Sequence, residues 1–280
     1  MTEIAPLPEW LQYEFLERGC QGTPYVVHGH SGQSTIWGTP DHVYIAKVYE
    51  PSEAWRAERE QVAANQVVGA VPSVPPLDVS RGDDGRAALW MRWEHIAGSA
   101  DIVEATQWVR ALHDSAQTDG LEGFPFDLWL PTEPDDEVLP GKIQPWVDEA
   151  YKILLEFEAG ERVVIHGEPT RSNILKSVRP DDGDTYVTTV GMDFARSGLG
   201  PRAYDVAMIA VSAVEHGLGN LDDVLAAYGP HEHVTEENVA KAATAVAVNR
   251  LLEAARMNDE STNARLAALH AGRWFVQTGR

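Results

Sequence analysis

Residues 163–175 read VVIHGEPTRSNIL and residues 187–209 read VTTVGMDFARSGLGPRAYDVAMI. Each stretch opens on an apolar, strand-like run that delivers a polar cluster. The first presents His166, Glu168 and Asn173; the second presents Asp193, with Asp205 twelve residues further on. A carboxylate, a carboxamide five residues later and a second carboxylate at the end of a neighbouring strand are hard oxygen donors plus a proton acceptor. That set suits Mg²⁺ and a hydroxyl nucleophile.

Upstream, Tyr25 to Tyr49 reads as three short strands, YVV, STIWG and HVYIAKVY, joined by turns. A helical pattern starts near Ser52, with Trp55, Val62, Ala63 and Val67 at helical spacing, and the prolines of VGAVPSVPP end it. Ala87 to Ile96 is one more apolar strand. After Gly98 the chain turns helical: Asp101 to His113, Ile143 to Glu158, Tyr204 to His216, and Ala-rich stretches from Thr235 onward. The strands Val163 to Ile165 and Tyr186 to Met192 interrupt these helices and flank a loop, Ile174 to Asp184, with RPDDGD as its turn. This order predicts an α+β chain: a small β-rich N-terminal lobe over residues 1–95, and a larger, mainly helical C-terminal lobe over 96–280. Residues 92–98 are the expected connector.

The two opening motifs resemble those of the aminoglycoside phosphotransferase and choline-kinase-like group of small-molecule kinases. That family's first motif is commonly HGDxxxxN, and HGEPTRSN keeps its spacing; its second resembles IDWxxxxxGxxxxDLA, against MDFARSGLGPRAYDVA here. The resemblance spans about residues 25–210 and implies a two-lobed protein-kinase-like fold. It further implies an ATP- or GTP-dependent phosphotransferase that uses Mg²⁺. Carried over by position, Asn173 and Asp193 would hold the metal on the phosphates, and Glu168 would orient or deprotonate the acceptor hydroxyl. His166 and Asp205 would support the loop. Glu168 departs from the usual Asp, and its extra methylene moves the carboxylate by ~1.5 Å. Two outcomes stay open: a backbone that sits back and keeps activity, or a nucleotide binder with weak transfer. Thr170, where many members have a histidine, is a second departure and bears on loop packing.

For the N-terminal lobe the resemblance implies a phosphate cover, a strand lysine and a partner glutamate. Lys47 is the only lysine before Lys142 and lies in the third strand; its role would be to neutralise the α/β-phosphates. Glu60 best matches the partner, with Glu58 as the alternative on another helix face. HGHSGQS would cover the phosphates, through Ser31, Gly32 and Ser34. In WMRWEHIAG, backbone groups of Arg92, Trp93, Glu94 and His95 would meet the base edge; Trp90, Met91 and Trp93 would shape its pocket or, as aromatics on a buried strand more often do, fill the core.

Composition narrows the partners. The chain has 280 residues, 22 Lys+Arg against 43 Asp+Glu and a net charge of −21, which argues against a nucleic-acid or anionic-membrane partner. One cysteine, Cys20, excludes an internal disulfide, and the N-terminus lacks a signal-peptide pattern, so a cytoplasmic location is expected. No GxSxG elbow occurs, and HEH at 231–233 has no third ligand nearby. Residues 119–161 hold 12 acids against Lys142 and Lys152, nearly half the net charge. Asp135, Asp136 and Glu137 in this stretch are candidate acceptor-binding residues, an acidic wall for a small cationic acceptor. The expected acceptor is an aminoglycoside-like or basic peptide antibiotic; a metabolite such as choline, a sugar or an amino alcohol is the alternative, as is a nucleotide-binding pseudokinase. Monomer and homodimer both stay open.

Overall fold

The computed structural model describes residues 7–27, 34–118, 121, 140–181, 184–256 and 260–274. Its N-terminal sheet is antiparallel, with strand order β1-β2-β3-β5-β4. β1 (Tyr25–Val26), β2 (Ser34–Gly38) and β3 (Tyr44–Tyr49) follow the expected runs. β5 (Ala87–Arg92) is buried along all but its last residue, as its apolar sequence AALWMR requires of an inner strand. β4 (Pro76–Arg81) has no counterpart in the sequence reading, because its proline, Asp78 and Ser80 look like loop. It is an edge strand with a register shift between Pro76 and Asp78, where a proline removes no ladder bond.

Helix α1 (Glu9–Glu17), also unforeseen, lays Leu11 and Phe15 against Trp37 and Trp90 of the sheet. Phe15 meets Trp90 edge-on at 4.7 Å, and the Arg18 guanidinium lies 4.2 Å above the same indole. Trp90 also donates its Nε1–H to Ser80 Oγ (2.8 Å). This indole therefore belongs to the core under α1, the commoner of the two places expected for it, and not to a base pocket.

Helix α2 (Trp55–Val67) buries Ala57, Glu60, Ala63, Ala64 and Val67, a stripe at helical period. Trp55 and Val62 fall outside that stripe and stay exposed, contrary to the expected apolar face. The phase turns Glu60 inward, while Glu58 pairs with Arg81 at the surface.

β5 ends at Arg92, and after three intervening residues β6 (Ile96–Ser99) begins and pairs with β8 (Ile174–Asp181). β8 pairs with β9 (Asp184–Gly191) over its whole length, so the expected loop at 174–184 is mostly strand. Its polar residues Lys176, Ser177 and Arg179 masked the strand signal. A capping box of Asp101 and Glu104 starts α3 (Ile102–Ser115). α4 (Pro140–Glu158), α5 (Arg202–Glu215), α6 (Leu221–Tyr228), α7 (Glu236–Arg256) and α8 (Thr262–His270) complete the helical part. α6 was not anticipated. β7 (Val163–Ile165) and β10 (Gly198–Gly200) form a two-stranded ribbon. Among the described residues, no helix is long and apolar enough to cross a membrane.

A second link joins the two parts behind the connector. Gly191 donates to Pro72 O (3.1 Å) and accepts from Val74 N (3.0 Å), while Trp108 Nε1 donates to Pro72 O (2.8 Å). The Trp108 ring fills the space where a side chain at Gly191 would stand, 2.3 Å from an added Cβ. Gly191→Ala is expected to lower stability by about 1–3 kcal/mol through overpacking. Urea denaturation of the purified variant checks this.

Candidate active site

The loop between β7 and β8 is a tight turn held by its own backbone. Thr170 N donates to Glu168 O (2.7 Å), and Asn173 N and Ile174 N both donate to Thr170 O (3.0 and 2.9 Å). The Asn173 side chain closes the same turn, its Nδ2 donating to Glu168 O (3.0 Å). Met192 N donates to Asn173 O (2.9 Å), which fastens the end of β9 to the loop.

Asp205, in the first turn of α5 and fully buried, receives the loop's first two amides. His166 N donates to its Oδ2 (2.7 Å) and Gly167 N to its Oδ1 (2.8 Å). His113 of α3 lies against Oδ2 at 3.2 Å and binds Tyr228 Oη through its other nitrogen (2.9 Å). His166 donates Nε2–H to Met192 O (3.0 Å) and accepts from Glu168 N at Nδ1 (3.3 Å). Both bonds require a neutral ring protonated at Nε2, and burial lowers this histidine's pKa in the same sense. Gly167 sits at φ +81°, where a Cβ would stand 2.2 Å from Arg196 O, so only glycine fits.

Lys47 Nζ donates to Glu60 Oε2 (2.9 Å) and to Asp193 Oδ1 (2.7 Å). Glu60 also accepts from Tyr49 Oη and, through Oε1, from Phe194 N (3.1 Å). One buried ammonium thus joins β3, α2 and the turn after β9. Burial favours neutral Lys47, but the carboxylates of Asp193 and Glu60 outweigh it and raise the lysine well above its ordinary value. Burial would likewise raise Asp193, yet Lys47 holds it below the usual carboxylate range. Asp193 adopts φ +62°, a conformation rarely taken by a residue with a side chain and found mostly at functional sites.

A cleft of about 840 Å³ lies between the two parts of the chain. Glu168, Asn173 and Asp193 line its floor, and Arg92, Trp93, Glu94 and His95 line its connector side. Val27, Ile36, Ile45, Val74 and Met192 add apolar walls. His42, which no sequence signal marked, stacks on Trp93 at 4.2 Å and forms an aromatic wall with it. The Glu94 side chain turns away from this cleft's centre to accept from Arg179 Nε (3.0 Å) and Ser177 Oγ, clamping the connector to β8. Met91 packs in a core with Val74 and Val190. Ser34 opens β2 with its side chain buried, while Ser31 and Gly32 lie outside the described residues, as do Asp135, Asp136 and Glu137.

Glu168 faces Arg196, whose Nε is 3.5 Å from Glu168 Oε2. Burial raises the Glu168 pKa and Arg196 opposes the rise. The sequence reading gave Arg196 no role, although it stands three residues after Asp193 in the second motif. A metal is implied at Asn173 and Asp193, and the donor chemistry fits. Asn173 has committed its amide nitrogen, which leaves its oxygen as donor, and Asp193 keeps Oδ2 beyond the Lys47 contact. Among the described residues no group of three His, Cys, Asp or Glu is set to hold a metal alone. A hard divalent ion with two protein oxygens and a shell completed by phosphate and water suits this arrangement.

The chain matches the model of the phosphotransferase enzyme family over residues 26–238. No curated relative is matched by sequence. Among solved structures it is similar to choline kinase LicA from Streptococcus pneumoniae, with TM-score 0.68, 14% identity and coverage of 94% of this chain and 97% of that one. A thermostable mutant of aminoglycoside phosphotransferase APH(4)-Ia, in a ternary complex with AMP-PNP and hygromycin B, gives 0.63, 14%, 95% and 98%. Aminoglycoside phosphotransferase APH(3'')-Id from Streptomyces rimosus gives 0.61, 19%, 86% and 97%. These likenesses extend the two-part fold over nearly the whole chain.

Lys47→Met is expected to destabilise the protein by about 3–5 kcal/mol, because Glu60 is left as an uncompensated buried charge. Lys47→Met combined with Glu60→Gln should recover part of that loss. Chemical denaturation of both variants checks it.

Proposed function

The chain belongs to the phosphotransferase enzyme family, and from that premise we propose that it transfers the γ-phosphoryl of ATP or GTP to a hydroxyl of a small cationic molecule. The observation that carries this reading is the meeting of three separate segments at one cleft: Glu168 and Asn173 from the β7–β8 loop, Asp193 from the turn after β9, and Lys47 of β3 bonded to Asp193. The purine would lie against the His42–Trp93 wall and the apolar residues beside it. Lys47 would then meet the α/β-phosphates while Glu60 keeps it aimed. Asn173 and Asp193 would hold Mg²⁺, which when bound neutralises charge on the phosphates.

The residues around this charge do the remaining work. Phosphoryl transfer needs little covalent help from a protein, so catalysis is positioning and electrostatic stabilisation. Glu168 would accept the hydrogen of the attacking hydroxyl and align its oxygen. The hydrogen bonds that the His166 and Gly167 amides donate to Asp205 keep the loop from shifting under that task, and neutral His166 ties it to Met192. The longer Glu arm is compensated, in this reading, by the Arg196 contact.

The acceptor class proposed is an aminoglycoside-like or basic peptide antibiotic, which the enzyme would inactivate. The excess of 12 acids over two lysines in residues 119–161 supports a cationic acceptor, as does the hygromycin B held by one neighbour. A choline-like amino alcohol is the second acceptor class, supported by the choline kinase neighbour. Both acceptors are cations, so composition serves either.

The deciding experiment incubates the protein with nucleotide, Mg²⁺ and a panel of basic antibiotics and cationic amino alcohols. Mass spectrometry should then find one acceptor that has gained a single phosphoryl group. Binding of ATP without consumption across the panel would point to a pseudokinase instead. Asp193→Ala is expected to abolish transfer while circular dichroism shows a retained fold; full activity would refute the metal assignment.

The pH profile carries a further expectation. Glu168 must be ionised to accept a proton, and burial raises its pKa. Activity should therefore be lost on acidification at a higher pH than an ordinary glutamate would give. Arg196→Gln removes the opposing cation and should move that acid limb higher still, as read from kcat/KM against pH.

A further inference from the structure

We propose that Glu253, on α7, is a positioning residue that holds the Arg196 guanidinium in place against Glu168. The inference rests on the reading of Glu168 as the group that aligns the acceptor hydroxyl.

The backbone beneath Arg196 is already fixed. A Cβ at Gly167 would stand 2.2 Å from Arg196 O, so the two segments run in contact. Ser197 Oγ donates to His166 O (2.9 Å), and β10 pairs with β7 directly beyond. Four side-chain torsions of Arg196 remain, and these decide whether the guanidinium faces the loop. Arg196 donates Nη2–H to Glu253 Oε1, while its Nε edge lies 3.5 Å from Glu168 Oε2. A carboxylate at each end of a planar group fixes its plane. Burial disfavours the charged guanidinium, but Glu168 and Glu253 together raise its pKa, so it stays a cation.

Glu253 is itself well placed to act as an anchor. Its neighbours Leu251, Leu252 and Ala254 are buried, so this part of α7 is packed and the carboxylate is presented from a rigid support. Arg250, one turn earlier on the same helix, bonds Glu215 of α5. Glu215 also takes Arg265 of α8 at 2.7 Å. The alternation of charge runs from α8 through α5 and α7 toward the catalytic loop, and Glu253 is its last member before Arg196. A glutamate in place of the usual aspartate has one more torsion to restrain. Arg196, gripped from behind, supplies that restraint.

Glu253→Ala is expected to lower kcat by about tenfold to a hundredfold, with the nucleotide KM unchanged. Glu253→Gln, which keeps an oxygen for the guanidinium, should retain most of the activity and serves as the folded control. In an Arg196→Ala background, Glu253→Ala should add no further loss, since the two act as a unit. NMR of protein labelled with ¹⁵N-arginine gives a reading that needs no turnover. The Arg196 Nε–H signal, assigned by its absence in Arg196→Lys, should exchange slowly with solvent in the wild type and rapidly in Glu253→Ala. An unchanged signal in Glu253→Ala, or a full second loss of kcat in the Arg196→Ala background, overturns the proposal. A wild-type protein inactive on every acceptor overturns the proposed function, and the NMR signal still decides the pairing.

Discussion

One ammonium group holds the site together. Lys47 Nζ lies between Glu60 and Asp193, in a region where an unpaired charge would cost several kcal/mol. Such a cation is tolerable only when both carboxylates are present, and they arrive from α2 and from the turn after β9. The sheet, the helix and the catalytic segment must therefore assemble as a unit. Glu60 extends the demand by taking the Phe194 amide, which fixes the residue next to Asp193. The left-handed backbone at Asp193 persists because this surrounding network over-determines it.

Asp205 does for the loop what Glu60 does for the turn. A carboxylate at a helix N-terminus, accepting two consecutive amides, converts a mobile connection into a fixed one. His113 and Tyr228 carry that bracing into the helical core. The site is thus set on α3, α5 and α7 rather than on the loops alone, and its precision follows from their packing.

Much of this was legible in the sequence, and the reason is spacing. HGEPTRSN and the Asp193-to-Asp205 interval encode a turn and a brace whose lengths cannot drift. Glu60 was legible through its match to the family's partner glutamate, whereas the apolar face expected of α2 was partly wrong, since Trp55 and Val62 are exposed. What escaped depended on contacts between residues distant in sequence, or on strands whose polar members broke the apolar pattern. β8 read as loop because Lys176, Ser177 and Arg179 interrupt its apolar residues without regular alternation, and β4 because of Pro76 and Asp78. Trp90 could have been core or pocket, and α1, invisible as a partner in the sequence, makes it core. Arg196 was quoted within a motif, yet its tie to Glu253 spans 57 residues and leaves no local trace.

Beyond the charged centre, the two parts of the chain are joined at two backbone links, one through Trp93 to His95 and one where Pro72 and Val74 bond Gly191. A body suspended from two points has one easy axis of rotation, the line through them. Breathing of the cleft should then be a rocking about that line, with little sliding or twisting across it. Aperture changes with the angle, while the bonds from Lys47 to Asp193 and from the Phe194 amide to Glu60 resist opening at the charged centre. The enzyme would keep its charged centre assembled while its mouth admits and releases ligands.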